Sequence, residues 1–164
     1  MEHSEKNLES FKKDYAVLAK KHEFSDFEEM NKEFLIEGLA KTETELLIKL
    51  VRRALMDKIS HFSKIIEYIL NPSAGGGSLF IFSVIKVLKE KDKKELAEIY
   101  EKLSKLELES VAREVVFSEK EEAEFIKKAY SCWKEVREPL LSVLKNIDSN
   151  WDVELGKNEK SYFR

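Results

Sequence analysis

Glutamine is absent from this chain of 164 residues, cysteine occurs once, proline twice and glycine five times. A single thiol, Cys132, closes no internal disulfide and builds no cysteine-ligated zinc site by itself, so the fold must rest on an apolar core. So few prolines and glycines favour helix. Long apolar runs are also missing. The longest, Leu79 to Leu88, contains Ser83 and Lys86 and falls well short of the roughly 20 residues that span a bilayer, so no membrane contact is expected. The opening stretch MEHSEKNLESFKKDYAVL is charged from its second residue and lacks the apolar centre of a secretion signal. A cytoplasmic location is the expectation.

What is abundant is charge. Lysine and glutamate dominate a charged fraction of 37%, well above the usual quarter or so. Lys/Glu enrichment with few thermolabile amides is the composition of proteins from hot environments, where ion-pair desolvation costs less. The formal net charge of −3 argues against a surface that attracts nucleic acid or anionic lipid over its whole extent, and leaves room for a local patch.

Helix starts are legible where Ser, Thr or Asp precedes Glu by three residues, a spacing that satisfies orphan backbone donors at a helix N-terminus. Four such boxes occur: Ser25 to Glu28, Thr42 to Glu45, Asp92 to Glu95 and Ser118 to Glu121. The apolar periodicity predicts a first helix from about Ser4 to His22 through Leu8, Phe11, Tyr15 and Leu18. A shorter one runs from Ser25 to about Gly38 through Phe27, Met30 and Phe34. The third, Glu43 to Leu70, stops at Asn71-Pro72 and would be roughly 40 Å long. Its apolar arc covers more than half the circumference, which predicts a central helix with neighbours on two sides.

The run SLFIFSVIKVL reads as a helix, because no second strand lies nearby to pair with it. Lys93 to about Glu114 follows, with Leu96, Ile99, Tyr100, Leu103, Leu106 and Val111 as its inner stripe. The last helix runs from Ser118 to Ile147, with a kink or short break expected near Val136 because Pro139 lies inside it. Residues 148–164 read as a polar, flexible tail. The fold class predicted is all-α: one antiparallel bundle of about six helices over residues 1–147, with a long central helix and a kinked C-terminal one.

Few residues suggest chemistry. Gly75, Gly76 and Gly77 lead into Ser78, a possible N-cap, and such a loop can hold an anion at a helix N-terminus. It has neither the Gly-Lys-Ser/Thr nor the G-x-G-x-x-G pattern of nucleotide-binding loops, and a turn between two helices explains it without a ligand. Asp57 and His61 are four apart on one helix face, but no third ligand is recognisable, and no metal or other cofactor is expected. Cys132 has no nearby histidine to activate it. Lys58 and Arg137 fall by helical angle within apolar stripes. They are read as a snorkelling lysine and a structural ion pair, with a small-anion pocket between the central and last helices as the functional version. Lys86, Lys89, Lys91, Lys93 and Lys94 form the densest basic cluster. It is interrupted by Glu90 and Asp92 and has neither arginine nor an interleaved aromatic residue.

With no convergent catalytic set, the reading is a non-enzymatic helical interaction protein: an adaptor, a self-associating bundle or a subunit of a larger assembly, with a protein partner or a second copy as its ligand. A nucleic-acid-associated subunit using Lys86 to Lys94 is the first alternative, and small-molecule binding near Lys58 and Arg137 the second.

Overall fold

The computed structural model describes residues 2–41, 46–73 and 78–159. Helices follow in the order α1 (Glu2–His22), α2 (Phe27–Phe34), a short 3-10 helix (Ile36–Lys41), α3 (Leu47–Leu70), α4 (Leu79–Val87), α5 (Glu90–Val115) and α6 (Glu119–Glu159). The fold is an all-α helical bundle, with no strand among the described residues. The β-prone run is therefore helical, as α4.

Local hydrogen bonds explain where boundaries depart from expectation. The cap of α2 is Asp26, whose carboxylate accepts from the Glu29 N–H at 2.8 Å, so the capping pair sits one residue beyond Ser25 and Glu28. Leu35, not Gly38, terminates α2. It adopts the left-handed conformation (φ 52°), and its N–H bonds to the Asn31 carbonyl at 2.8 Å. The Asn31 side chain then accepts from the Glu37 N–H at 2.8 Å and holds the turn into the 3-10 helix.

α5 starts at Glu90, because the Lys93 N–H bonds to the Lys89 carbonyl at 3.0 Å. Asp92 is thus no cap; it is drawn inward and accepts from Asn146 at 2.9 Å. Ser118 does cap α6: its carbonyl accepts from the Glu122 N–H at 2.9 Å and its hydroxyl from the Glu121 N–H at 3.5 Å. The box at Thr42 to Glu45 lies outside the described residues.

α6 passes through Pro139 without a break and continues beyond Ile147 to Glu159. Burial of Val136, Leu140, Val143 and Ile147 on either side of the proline holds the helix together where one backbone bond is lost.

The chain divides into two compact units, and α3, α5 and α6 contribute to both. The first joins Met1–Ile59 to Glu107–Ser131. Phe27 of α2 meets Phe11 and Tyr15 of α1 edge-on at 6.1 and 5.8 Å. Tyr15 is wholly buried, and its hydroxyl donates to the Ser25 carbonyl at 2.9 Å. Burial pushes its pKa far up, so the ring stays neutral. Ile48, Val51, Leu55 and Ile59 of α3 and Phe125, Ile126 and Ala129 of α6 complete this core. Each such side chain is worth about 1.5–3 kcal/mol when fully buried. Glu109 pairs with Lys128 and Arg113 with Glu121, so α5 and α6 run antiparallel here.

The second unit joins Ser60–Leu106 to Cys132–Arg164. Its core is Ile66 and Ile69 of α3, Ile81, Val84 and Val87 of α4, Leu96, Ile99 and Leu103 of α5, and Trp133, Val136 and Leu140 of α6. Phe62 packs on Trp133 at 5.3 Å. Asp92 meets Asn146 and Lys102 meets Glu135, which again sets α5 and α6 antiparallel.

Candidate functional site

Gly75, Gly76 and Gly77 lie outside the described residues. Ser78 precedes α4, but its side chain makes no capping bond; its carbonyl accepts from the Phe82 N–H at 3.1 Å. Lys58 is half-buried in α3, where its ammonium donates to the backbone carbonyl of Glu33, stands 3.8 Å from the Glu33 carboxylate and lies over the Phe34 ring. A cleft of about 520 Å³ opens beside it, lined by residues that include Lys32, Glu33, Leu35, Asp57 and Lys58. Two lysines and two carboxylates leave that cleft without net charge, and Lys58 is already engaged with main chain. Arg137 belongs to the second unit, half-buried, with its guanidinium on the Glu138 carboxylate at 2.9 Å. Each cation is thus accounted for within its own unit.

Asp57 and His61 are both exposed on α3, and the His61 ring lies edge-on to Phe62 at 5.4 Å. Among the described residues no group of three His, Cys, Asp or Glu side chains converges as metal ligands would. Cys132 is half-buried in α6.

The lysine cluster runs from the end of α4 into the first turn of α5. Lys86, Lys89, Lys91 and Lys94 are exposed, and Lys93 pairs with Glu90 at 2.6 Å. Glu90 is held below its ordinary pKa first by the Lys93 hydrogen bond. Of the two acids that interrupt the cluster in sequence, Asp92 is buried and turned away from it, whereas Glu90 stays exposed among the lysines.

Two features escape a reading of the periodicity. One is a polar network inside the first unit. Arg52 of α3 is 1% exposed; it donates to Ser110 Oγ at 2.7 Å and to the Glu114 carboxylate, both on α5. Its Nε stands 2.8 Å from Oε2 of Glu122 on α6, which is also 1% exposed. That contact is ionic in distance but is not aligned as a hydrogen bond, and Glu122 Oε1 has no hydrogen-bond partner among the described residues. The sequence does carry the signal: Arg52 continues the spacing Ile48-Arg52-Leu55-Ile59, and Glu122 continues Glu122-Ile126-Ala129-Trp133. Only one of the two adjacent arginines is buried, Arg53 being exposed.

The other feature is an apolar stripe on the outside of α5. Leu103, Leu106 and Ser110 face inward, whereas Leu108, Val111 and Val115 are 74%, 64% and 80% exposed. At about 100° per residue these two faces lie roughly 140° apart around the helix. Val111 therefore does not belong to the inner stripe: Ser110 holds that position, turned toward Arg52. Val116 and Phe117 extend the exposed set through the connection to α6, with the Lys49 ammonium 4.6 Å above the Phe117 ring.

No protein-family model, no curated protein and no solved structure matches this chain.

Proposed function

We propose that the protein is a non-enzymatic interaction protein that docks a protein partner, or a second copy of itself, on the outward face at the C-terminal end of α5. The observation that carries this reading is the exposed row Leu108, Val111, Val115, Val116 and Phe117. Single exposed apolar residues are ordinary, but a helical row continued into a loop is a patch of the kind that marks protein interfaces. A Leu108, Val111, Val115 spacing is also what a helix offers to a partner helix.

Magnitudes bound the affinity. Five partly covered side chains contribute on the order of 5–10 kcal/mol, and association costs on the order of 4–15 kcal/mol. The apolar row alone therefore supports only weak association, and tight binding requires polar contacts at its rim. Of the acids that border the row, Glu109 and Glu114 pair with Lys128 and Arg52.

Photo-crosslinking tests the reading. A benzoylphenylalanine placed at Val111 or Val115, in protein produced in its own cells, should yield a discrete adduct. The same probe at Val17, an isolated exposed apolar position on α1 (70% exposed), should not. Adducts absent from Val111, or equally abundant from Val17, contradict it.

A further inference from the structure

α4 is a nine-residue helix of almost entirely apolar sequence, yet only one side of it is covered. Ile81, Val84 and Val87 are buried, while Leu79, Phe80 and Phe82 are 84%, 61% and 44% exposed. Phe80 meets the half-buried Trp151 of α6, with ring centroids 6.2 Å apart. Phe82 and Lys86 are one helical turn apart, so an aromatic ring and an ammonium share a face. The sequence alone shows no aromatic residue between the lysines; the helix supplies one beside them.

From these observations we infer that the face of α4 carrying Phe82 and Lys86, with Lys89, Lys91 and Lys94, binds single-stranded nucleic acid, phosphates on the ammoniums and a base stacked on Phe82. Charge complementarity carries the choice of partner. Among the described residues, none of these four lysines has a carboxylate within ion-pair distance, whereas Lys93 has Glu90. Lys91 stands in the first turn of α5, where the helix dipole disfavours a cation, and shares that turn with Glu90 and Asp92.

Single strands are specified over duplex because only unpaired bases offer their faces to an exposed phenyl ring. The surface has no arginine to read base edges, so little sequence preference is expected. An anionic membrane fits less well. The inner face of α4 already packs on protein, which leaves three apolar side chains where stable membrane anchoring takes a larger insertion or a second signal.

Fluorescence anisotropy with labelled oligothymidylate and oligouridylate of about 20 nucleotides, in about 50 mM salt, tests this. Saturable binding that weakens steeply with salt is expected, with the matching duplex bound at least about tenfold less well. F82S should weaken single-strand binding about fivefold or more while leaving the salt dependence intact, and K86E/K89E should reduce both affinity and salt slope. K120E, on the exposed surface of α6, should change neither. All substitutions are at exposed positions, and circular dichroism confirms that the variants fold. No binding at low salt overturns the inference, as does duplex bound equally well, or insensitivity to F82S. Binding to vesicles containing phosphatidylglycerol without binding to either oligonucleotide also overturns it.

Discussion

Arg52 Nε and Glu122 Oε2 face each other at 2.8 Å in the interior of the first unit, each residue 1% exposed. Neither is shielded by water, so the pair sits where desolvation rivals Coulomb attraction. Removing Arg52 leaves the Glu122 charge buried and uncompensated, whereas removing Glu122 leaves Arg52 its contacts with Glu114 and Ser110. R52M alone should therefore cost about 3 kcal/mol or more in urea denaturation, E122L less, and the double variant R52M/E122L less than R52M. Additive losses would show that the two charges do not communicate.

The two faces of α5 should separate cleanly by stability. Leu103→Ala removes a wholly buried side chain and should cost about 2–5 kcal/mol, whereas Leu108→Ser, at a position 74% exposed, should fall within about 0.5 kcal/mol of the parent. A Leu108→Ser loss comparable to that of Leu103→Ala would mean that the outer row is part of the core.

Leu35 carries a positive φ of 52°, a conformation costly to a residue with a Cβ, and its side chain is 71% exposed. Leu35→Gly should therefore raise stability by up to about 1 kcal/mol, read as a higher thermal midpoint. A lower midpoint would show that the leucine side chain contributes more than the strain costs.

Acid should destabilise the fold. Glu114 is held below its ordinary pKa first by the Arg52 hydrogen bond, and Glu119 first by Lys21 and then by His22. A carboxylate depressed in the folded state contributes stability above its unfolded pKa and loses it as pH falls through the folded value. The thermal midpoint should drop below about pH 4.5, less steeply in E119Q. An unchanged acid limb in E119Q contradicts this. At the alkaline end Tyr130, pushed up to about 12 chiefly by burial, contributes stability that fades as pH rises above its unfolded value near 10.

The helices were legible in the sequence wherever apolar spacing and caps agreed. Ser118 opens α6, Asn71-Pro72 closes α3, and Leu96, Ile99, Leu103 and Leu106 form the inner face of α5. Ends were less legible, because hydrogen bonds between distant residues outrank local signals: Asn146 recruits Asp92, and α5 begins at Glu90, three residues before Lys93. The candidate surfaces were hidden for a related reason. A valine at helical spacing reads as core, yet Ser110 occupies the inner position that Val111 would otherwise take, and residue type alone does not tell an outward valine from an inward one.

The most direct test is fluorescence-detected sedimentation velocity of the tagged protein in lysate of its own cells, wild type against V111E/V115E. Wild-type protein should sediment as a species heavier than the 19.2 kDa monomer, and the variant, with unchanged helix content, as the monomer. Identical sedimentation of the two would contradict a docking role for the outer face of α5.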